Sequence, residues 1–231
     1  MRFLLSSMAF AFGFSMPAFA QLDDKIADRL FESAKILDEL VRAPDGGIPD
    51  ELLKKAECVA AIPAVKKAAF GFGGNYGRGS VSCRKDQGKG PWGPPSMLTL
   101  GGGSFGLQLG GQSTDVVMLF MTPDSIKYLL RDKVTLGGDA SAAIGPKGRA
   151  ASAETSVSMR AEILTYARSR GAFAGISFKG AVLSPDKDAN KSLYKRTVDA
   201  KELLMQGNVA IPESARKFVD TLSRVSRIAA K

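Results

Sequence analysis

The run Gly101-Gly102-Gly103-Ser104-Phe105-Gly106 satisfies two chemical patterns at once. As G-x-G-x-x-G it would bring a nucleotide's phosphates against backbone amides, but that use requires a helix next, whose N-terminus holds the phosphate. Leu107 to Ser113 instead keeps a strand-like alternation around Gly110 and Gly111, which speaks against a nucleotide site. As G-x-S-x-G the same residues would present Ser104 as a nucleophile. The chain has no histidine, which removes every Ser-His-Asp and Cys-His mechanism and the commonest transition-metal ligand together. A serine–lysine pair survives in Ser192-Leu193-Tyr194-Lys195, a spacing too common to count alone. Asp186, Asp188 and Asn190 open like a calcium loop, yet Lys191 stands at the glycine position and Thr197 at that of the closing glutamate, so the segment reads as an acidic turn. No catalytic residue, cofactor or metal site is expected, and a histidine-free hydrolase using Ser104 is the least favoured reading.

What stands out instead is positive charge. Formal net charge is +9, a balance that suits an anionic partner. Lys54, Lys55, Lys66, Lys67, Arg78, Arg84, Lys85 and Lys89 face only Glu57 and Asp86 in their stretch of chain. A second group runs from Arg131 to Lys179, and several of its members sit beside glycines, in Gly145-Pro146-Lys147-Gly148-Arg149 and Arg168-Ser169-Arg170-Gly171. Arginine next to accessible backbone amides is apt chemistry for phosphate. Lys66, Lys67, Arg78, Lys147, Arg149, Arg168 and Arg170 are therefore the candidate binding residues.

The N-terminus supplies an address. Arg2 gives a short positive region, Phe3 to Phe14 an apolar run too short to span a bilayer, and Ala18-Phe19-Ala20 a signal-peptidase site. Residues 1–20 are expected to be a signal peptide cleaved after Ala20, leaving a periplasmic or secreted chain of charge +8 with no transmembrane span, since Arg2 leaves with the signal. In that setting the nearest anionic surface is phospholipid, and nucleic acid is not an expected partner. An oxidising compartment also makes one disulfide of Cys58 and Cys83.

These residues need a scaffold. Leu22, Ile26, Leu30, Ala34, Leu37 and Val41 recur at helical spacing until Pro44-Asp45-Gly46-Gly47, giving an amphipathic helix within 21–47 whose net acidic polar face is ill suited to a membrane surface. A short helix should start at Pro49. Cys58 to Ile62 reads as a strand ended by Pro63, and Phe70 to Arg84 as one with bulky residues on one parity and Gly71, Gly73, Gly77 and Gly79 on the other, the mark of a tightly curved or closely packed sheet. Further strands are expected at 97–100, 105–109, 116–121, 161–166 and 172–183, with a short helix capped by Thr122-Pro123 and helices at 197–205 and from Pro212 onward. The fold class is α+β: a glycine-rich, mostly antiparallel sheet flanked by N- and C-terminal helices, with residues 48–204 as the body and 205–231 a helix packing on the same domain.

Gly74-Asn75-Tyr76-Gly77-Arg78-Gly79, Trp92-Gly93-Pro94-Pro95, the run from Leu98 through Gly110-Gly111-Gln112-Ser113-Thr114-Asp115, Gly145-Pro146-Lys147-Gly148-Arg149 and Tyr166-Ala167-Arg168-Ser169-Arg170-Gly171-Ala172-Phe173-Ala174-Gly175 together resemble the SYLF domain family over about Ile48 to Leu204. Gly93 stands where members often have serine, and Ala167 replaces the first serine of a Tyr-Ser-Arg-Ser-Arg-Gly pattern; neither change touches a charge. The resemblance implies a non-enzymatic lipid-binding module with a preference for phosphoinositides, and actin binding in some eukaryotic members. For a secreted chain the reading that follows is a peripheral module binding anionic phospholipid or phosphoinositide headgroups through basic, glycine-flanked loops. The alternative is an envelope scaffold or partner-binding protein with no lipid ligand.

Overall fold

The computed structural model describes residues 18–43, 47–70, 72–86, 88–104, 110–146, 161–169, 172–173 and 178–226. Helix α1 (Ala18–Val41) is the amphipathic helix of the N-terminal region, and the expected cleavage point after Ala20 falls in its first turn. Its apolar stripe is buried at Ile26, Leu30, Ala34, Leu37 and Leu40, the spacing that a 3.6-residue period puts on one face. Then come α2 (Asp50–Lys55), a 3-10 turn (Pro123–Ser125) leading into α3 (Ile126–Leu129), α4 (Lys187–Tyr194), a π-helical turn (Glu202–Gln206) and α5 (Glu213–Val225). Thr122 caps the 3-10 turn through a reciprocal hydrogen-bond pair with Ser125, as its hydroxyl and the following proline suggest.

The strands are β1 (Cys58–Phe70), β2 (Phe72–Cys83), β3 (Ser96–Ser104), β4 (Gly110–Phe120), β5 (Val134–Thr135), β6 (Ala142–Ile144), β7 (Ile163–Ser169), β8 (Ala172–Phe173) and β9 (Val182–Pro185). They form one sheet in the order β5-β9-β3-β2-β1-β4-β7-β6, with β8 beside β7. Every pairing is antiparallel except β6 with β7. The sheet separates two cores. Val59, Ala61, Val117 and Leu119 meet α1, α2, α4 and α5 on one face, while Cys58, Ala60, Ile62, Val116, Met118 and Phe120 meet α3, Phe178 and the π-helical turn on the other. Burial on both faces explains why Cys58 to Ile62 of β1 and Val116 to Phe120 of β4 are continuously apolar.

Cys58 and Cys83 are directly opposite in the β1–β2 pair and are bonded to each other. The glycine parity of β2 also has its physical cause here. A Cβ on Gly79 would lie 2.2 Å from the Ala61 carbonyl oxygen, and one on Gly77 would lie 2.8 Å from a Val65 methyl. These are approaches that only glycine permits. They occur where β1 bulges at Pro63-Ala64, with Ala64 at φ 49° and the pairing register shifting there.

Several expectations are corrected. Pro63 does not end the first strand: the bulge absorbs it, and β1 runs on to Phe70. Residues 97–104 belong to one strand, β3, and 105–109 lie outside the described residues. The strand expected over 172–183 divides into β8 and β9, because Gly180 at φ 85° turns the chain between Phe178 and Ala181. The helix expected over 197–205 becomes the π-helical turn, closed by Gly207 at φ 60°. The acidic turn at Asp186 is the start of α4, with Asp186 accepting the Ala189 N–H as its N-cap.

Candidate functional site

The register of the central strands decides which charges can act together. Lys66 in β1 pairs with Tyr76 in β2 and with Ser113 in β4, and Tyr76 pairs with Gly101 in β3. Directly opposed residues share a face, so these four strands present one row. The adjoining row holds Arg78 opposite Thr99, and Asp115 opposite Arg168. Both rows lie on the face that α1 crosses, beyond the helix: Ser33 of α1 donates to the Ala61 carbonyl, and the exposed residues come next. Tyr76 is 49% exposed, and Lys66 and Arg78 are exposed as well.

Arg78 donates from Nε to the Tyr76 hydroxyl, and its guanidinium carbon lies 5.7 Å from the centre of the Tyr76 ring. That hydrogen bond, with the negative field of Asp186 behind it, holds the guanidinium above its ordinary value, so Arg78 stays charged. The Ala64 N–H, turned outward by the bulge, donates to Asp115 Oδ1 at 2.9 Å. Between α1 and this floor runs a groove whose lining mixes Lys25, Arg29 and Lys35 with Asp28, Glu32, Glu39 and Asp115, together with Ile36, Pro63 and Ala64. Its mixed charge fits a zwitterionic or hydrated ligand better than an apolar one.

The other candidates fall differently. Lys67 pairs along the backbone with Asn75 and Gln112, and its side chain lies outside the described part of the structure. Arg168 is mostly buried, and its Nη1 lies 3.9 Å from Glu39 of α1, which makes it as much a link between sheet and helix as a surface cation. Lys147, Arg149 and Arg170 lie outside the described residues. The basic stretch from Lys54 to Lys89 does not converge. Lys54, Lys55, Lys85 and Lys89 flank the disulfide end of the β1–β2 hairpin, whereas Lys66 is eight residues along β1 from Cys58, roughly 26 Å at strand rise. Arg84 is half-buried and engaged with Trp92 and Ser226. Ser104 closes β3 opposite Gly73, in extended pairing instead of a nucleophile's tight turn.

Sequence reasoning did not find the groove along α1, because Lys25, Arg29 and Lys35 read as an ordinary solvated helix face. The exposure of Tyr76 was equally hidden among the aromatics sharing its parity.

Within the glycine-bearing motifs, several described residues serve packing. A Cβ on Gly145 would lie 2.2 Å from the Tyr166 ring, whose hydroxyl donates to the Pro146 carbonyl at 3.2 Å, so two separate motifs close on each other. Burial pushes that hydroxyl's pKa well up. Trp92 donates to Ser226, and Tyr194 to the Pro95 carbonyl, so Trp92-Gly93-Pro94-Pro95 anchors the ends of α5 and α4. Among the described residues no helix is long and apolar enough to cross a membrane, and no group of three acidic or cysteine side chains could hold a metal.

Comparison with known proteins adds the lineage. Residues 101–225 match the family described as Ysc84, Las17-binding protein actin regulator. An SH3 domain-containing protein of Schizosaccharomyces pombe, PJ696.02, is 39% identical over 181 residues, covering 77% of this chain and 40% of its own length. LAS seventeen-binding protein 3 of Saccharomyces cerevisiae is 34% identical over 203 residues, 84% of this chain and 42% of that protein. SH3 domain-containing YSC84-like protein 1 of Bos taurus is 32% identical over 197 residues, 83% and 57% respectively. The chain thus spans about half the length of the curated relatives it matches. The resemblance carried by the glycine-rich motifs is therefore one of descent, and the chain belongs to the Ysc84, or SYLF-domain, family.

Proposed function

We propose that this chain is a non-enzymatic, peripheral module that binds anionic phospholipid or phosphoinositide headgroups at the surface of the cell envelope. The observation that carries the reading is the row in which Lys66 stands directly opposite Tyr76, with Arg78 hydrogen-bonded to the tyrosine, exposed on one face of the sheet. Two cations flanking an amphipathic ring suit a headgroup phosphate set at a water–lipid boundary. The charge of +8 that remains once Arg2 leaves with the signal favours approach to a negative surface. Lys147, Arg149 and Arg170 would extend the contact, and Arg168 would contribute only in part because of Glu39. The signal peptide expected over residues 1–20 supports a position outside the cytoplasm. The actin-regulator description belongs to the family and the Las17 in its name to the yeast relative; a protein partner for this chain is the competing reading.

Vesicle sedimentation tests it. A basic residue near a charged bilayer contributes about 1 kcal/mol, so replacing Lys66 and Arg78 together by glutamine should lower partitioning onto phosphatidylglycerol or cardiolipin vesicles roughly thirtyfold, with the circular dichroism unchanged. Replacing Arg149, Arg168 and Arg170 together should add a further loss, and binding should fade as salt shortens the Debye length. Wild-type chain that ignores such vesicles at low salt, or sediments equally with neutral ones, would turn the assignment toward a scaffold or partner-binding protein.

A further inference from the structure

Immediately beyond the disulfide, Glu57, Arg84 and Trp92 stand side by side. The Arg84 N–H donates to the Glu57 carbonyl at 2.8 Å, one step past the Cys58–Cys83 pair, and Arg84 forms an antiparallel bridge with Trp92. Neighbours in such a row have Cβ atoms about 5 Å apart, so the Arg84 side chain can serve either side. It serves one. Its Nη2 donates to the Ser226 carbonyl at 3.1 Å and to Ser226 Oγ at 2.9 Å, and its guanidinium lies 4.4 Å from the centre of the Trp92 ring. Trp92 Nε1 donates to the same Ser226 Oγ at 2.9 Å. Ser226 ends α5, so the cation meets the negative end of that helix and its unpaired carbonyls.

Glu57 is left aside. It is 8% exposed, and its Oε2 has no hydrogen-bond partner among the described residues; neither has Nε of Arg84. The turn between β2 and Trp92 closes down on it, since a Cβ on Gly88 would lie 2.5 Å from Oε1 and 2.6 Å from Oε2. A buried acceptor and a buried donor, adjacent and both unmet, describe an ion pair that has not formed. This arrangement favours the neutral carboxyl over the ionised one.

We infer that Arg84 is a two-position clasp for the C-terminal helix, resting on Ser226 while the Glu57 carboxyl is protonated and drawn across to Glu57 when that carboxyl ionises. The groups around Glu57 agree with the direction. Burial raises its pKa above the usual carboxylate range, and Arg84 pulls the other way. The turn packed against it carries Lys85, Asp86 and Lys89, the preceding helix Lys54 and Lys55, and α5 presents the neutral Ser226. With the folded-state value raised, the clasped form holds its proton more tightly than the unfolded chain. Its stability is therefore full at low pH and is lost as pH rises from the ordinary carboxylate value through the folded one. Opening the clasp would free the end of α5, a helix that also holds α1 through the Arg224–Asp38 ion pair at 2.8 Å.

Trp92 is the sole tryptophan, so the full chain carries its own reporter. Between about pH 4 and about pH 8, a window bracketing a raised carboxyl, Trp92 emission should move in a single-proton step. Glu57→Gln should abolish the step and hold emission at the low-pH value, with the far-ultraviolet dichroism unchanged. Ser226→Ala, which removes the Oγ acceptor but keeps the carbonyl and leaves Glu57 in place, should weaken the resting position and move the step to lower pH. A flat wild-type profile, or a step that survives Glu57→Gln, overturns the clasp. Should Glu57→Gln fail to fold, amide protection of residues 222–226 in the wild type decides. Corrected for intrinsic exchange, it should fall across the same step, and equal protection at both ends rules the clasp out.

Discussion

Substituting alanine for glycine at two places in one strand should give opposite results. In Gly79→Ala the new methyl would sit 2.2 Å from the Ala61 carbonyl oxygen, 2.7 Å from Ile62 Cα and 2.9 Å from Ile62 Cγ1. Ordinary contacts begin near 3.5 Å, about the separation at which dispersion is optimal, so β1 would have to retreat by about an ångström. It has little room to do so: Ala61 and Ile62 are wholly buried, and β1 is also held by β4 on its other side. Overpacking costs typically 1–3 kcal/mol, and a backbone obstacle puts this case at about 3 kcal/mol. For a chain of this size that is a fall of about 6–12 °C in Tm. At Gly74, by contrast, the nearest atom to a new Cβ is the Gly102 carbonyl oxygen at 3.7 Å. Gly74→Ala should gain about 0.5 kcal/mol by restricting the unfolded chain. Urea unfolding followed by Trp92 fluorescence measures both, with unchanged slopes marking a true stability change. If Gly79→Ala stays within about 0.5 kcal/mol of wild type, or the two variants behave alike, the close approach of β1 to β2 is not what the glycines serve.

Replacing Cys58 and Cys83 by serine should cost about 3.5 kcal/mol, the loop-closure entropy of a 25-residue separation; matched urea curves for the oxidised wild type and the double variant measure it. Asn190 is 2% exposed, accepts the Met97 N–H at 2.7 Å and donates to Ser96 Oγ and the Met97 carbonyl. Asn190→Ala should therefore cost about 3 kcal/mol by stranding buried strand groups, and added calcium should rescue neither its thermal melt nor raise that of wild type.

The periodic elements were legible because local chemistry and tertiary burial agree there. The stripe of α1, the two-sided burial of β4 and the Thr122 cap all follow from residue spacing alone. The cysteine pairing was legible for want of an alternative. Pro63 misled because a bulge can spend a proline without ending a strand, and nothing local announces that Gly77 and Gly79 on the neighbouring strand make room for it. Asp186 and Asn190 looked like ligands because capping a helix and binding a cation use the same side chains. Their partners, the Ala189 N–H with Arg29 for one and the β3 backbone for the other, are in part far off in sequence. The candidate surface was half legible. Charge counting along the chain found Lys66 and Arg78, but it merged them with Lys54, Lys55, Lys85 and Lys89, which the hairpin carries to its other end.

The strand order has a consequence for how the chain acquires its fold. The β1–β2 hairpin lies between β3 and β4, so the chain leaves β3 on one side of the hairpin and returns as β4 on the other. The hairpin is the most local pairing among the central four strands, which makes it the natural nucleus, and β9 must then find β3 from more than eighty residues away. Such a high contact order points to folding in milliseconds or slower. Until both neighbours dock, two long strands offer unpaired edges to any other chain nearby. The Cys58–Cys83 bond joins the open end of that hairpin. Once made, it keeps the nucleus in register while the slower pairings arrive, and so shortens the interval in which self-association competes with folding.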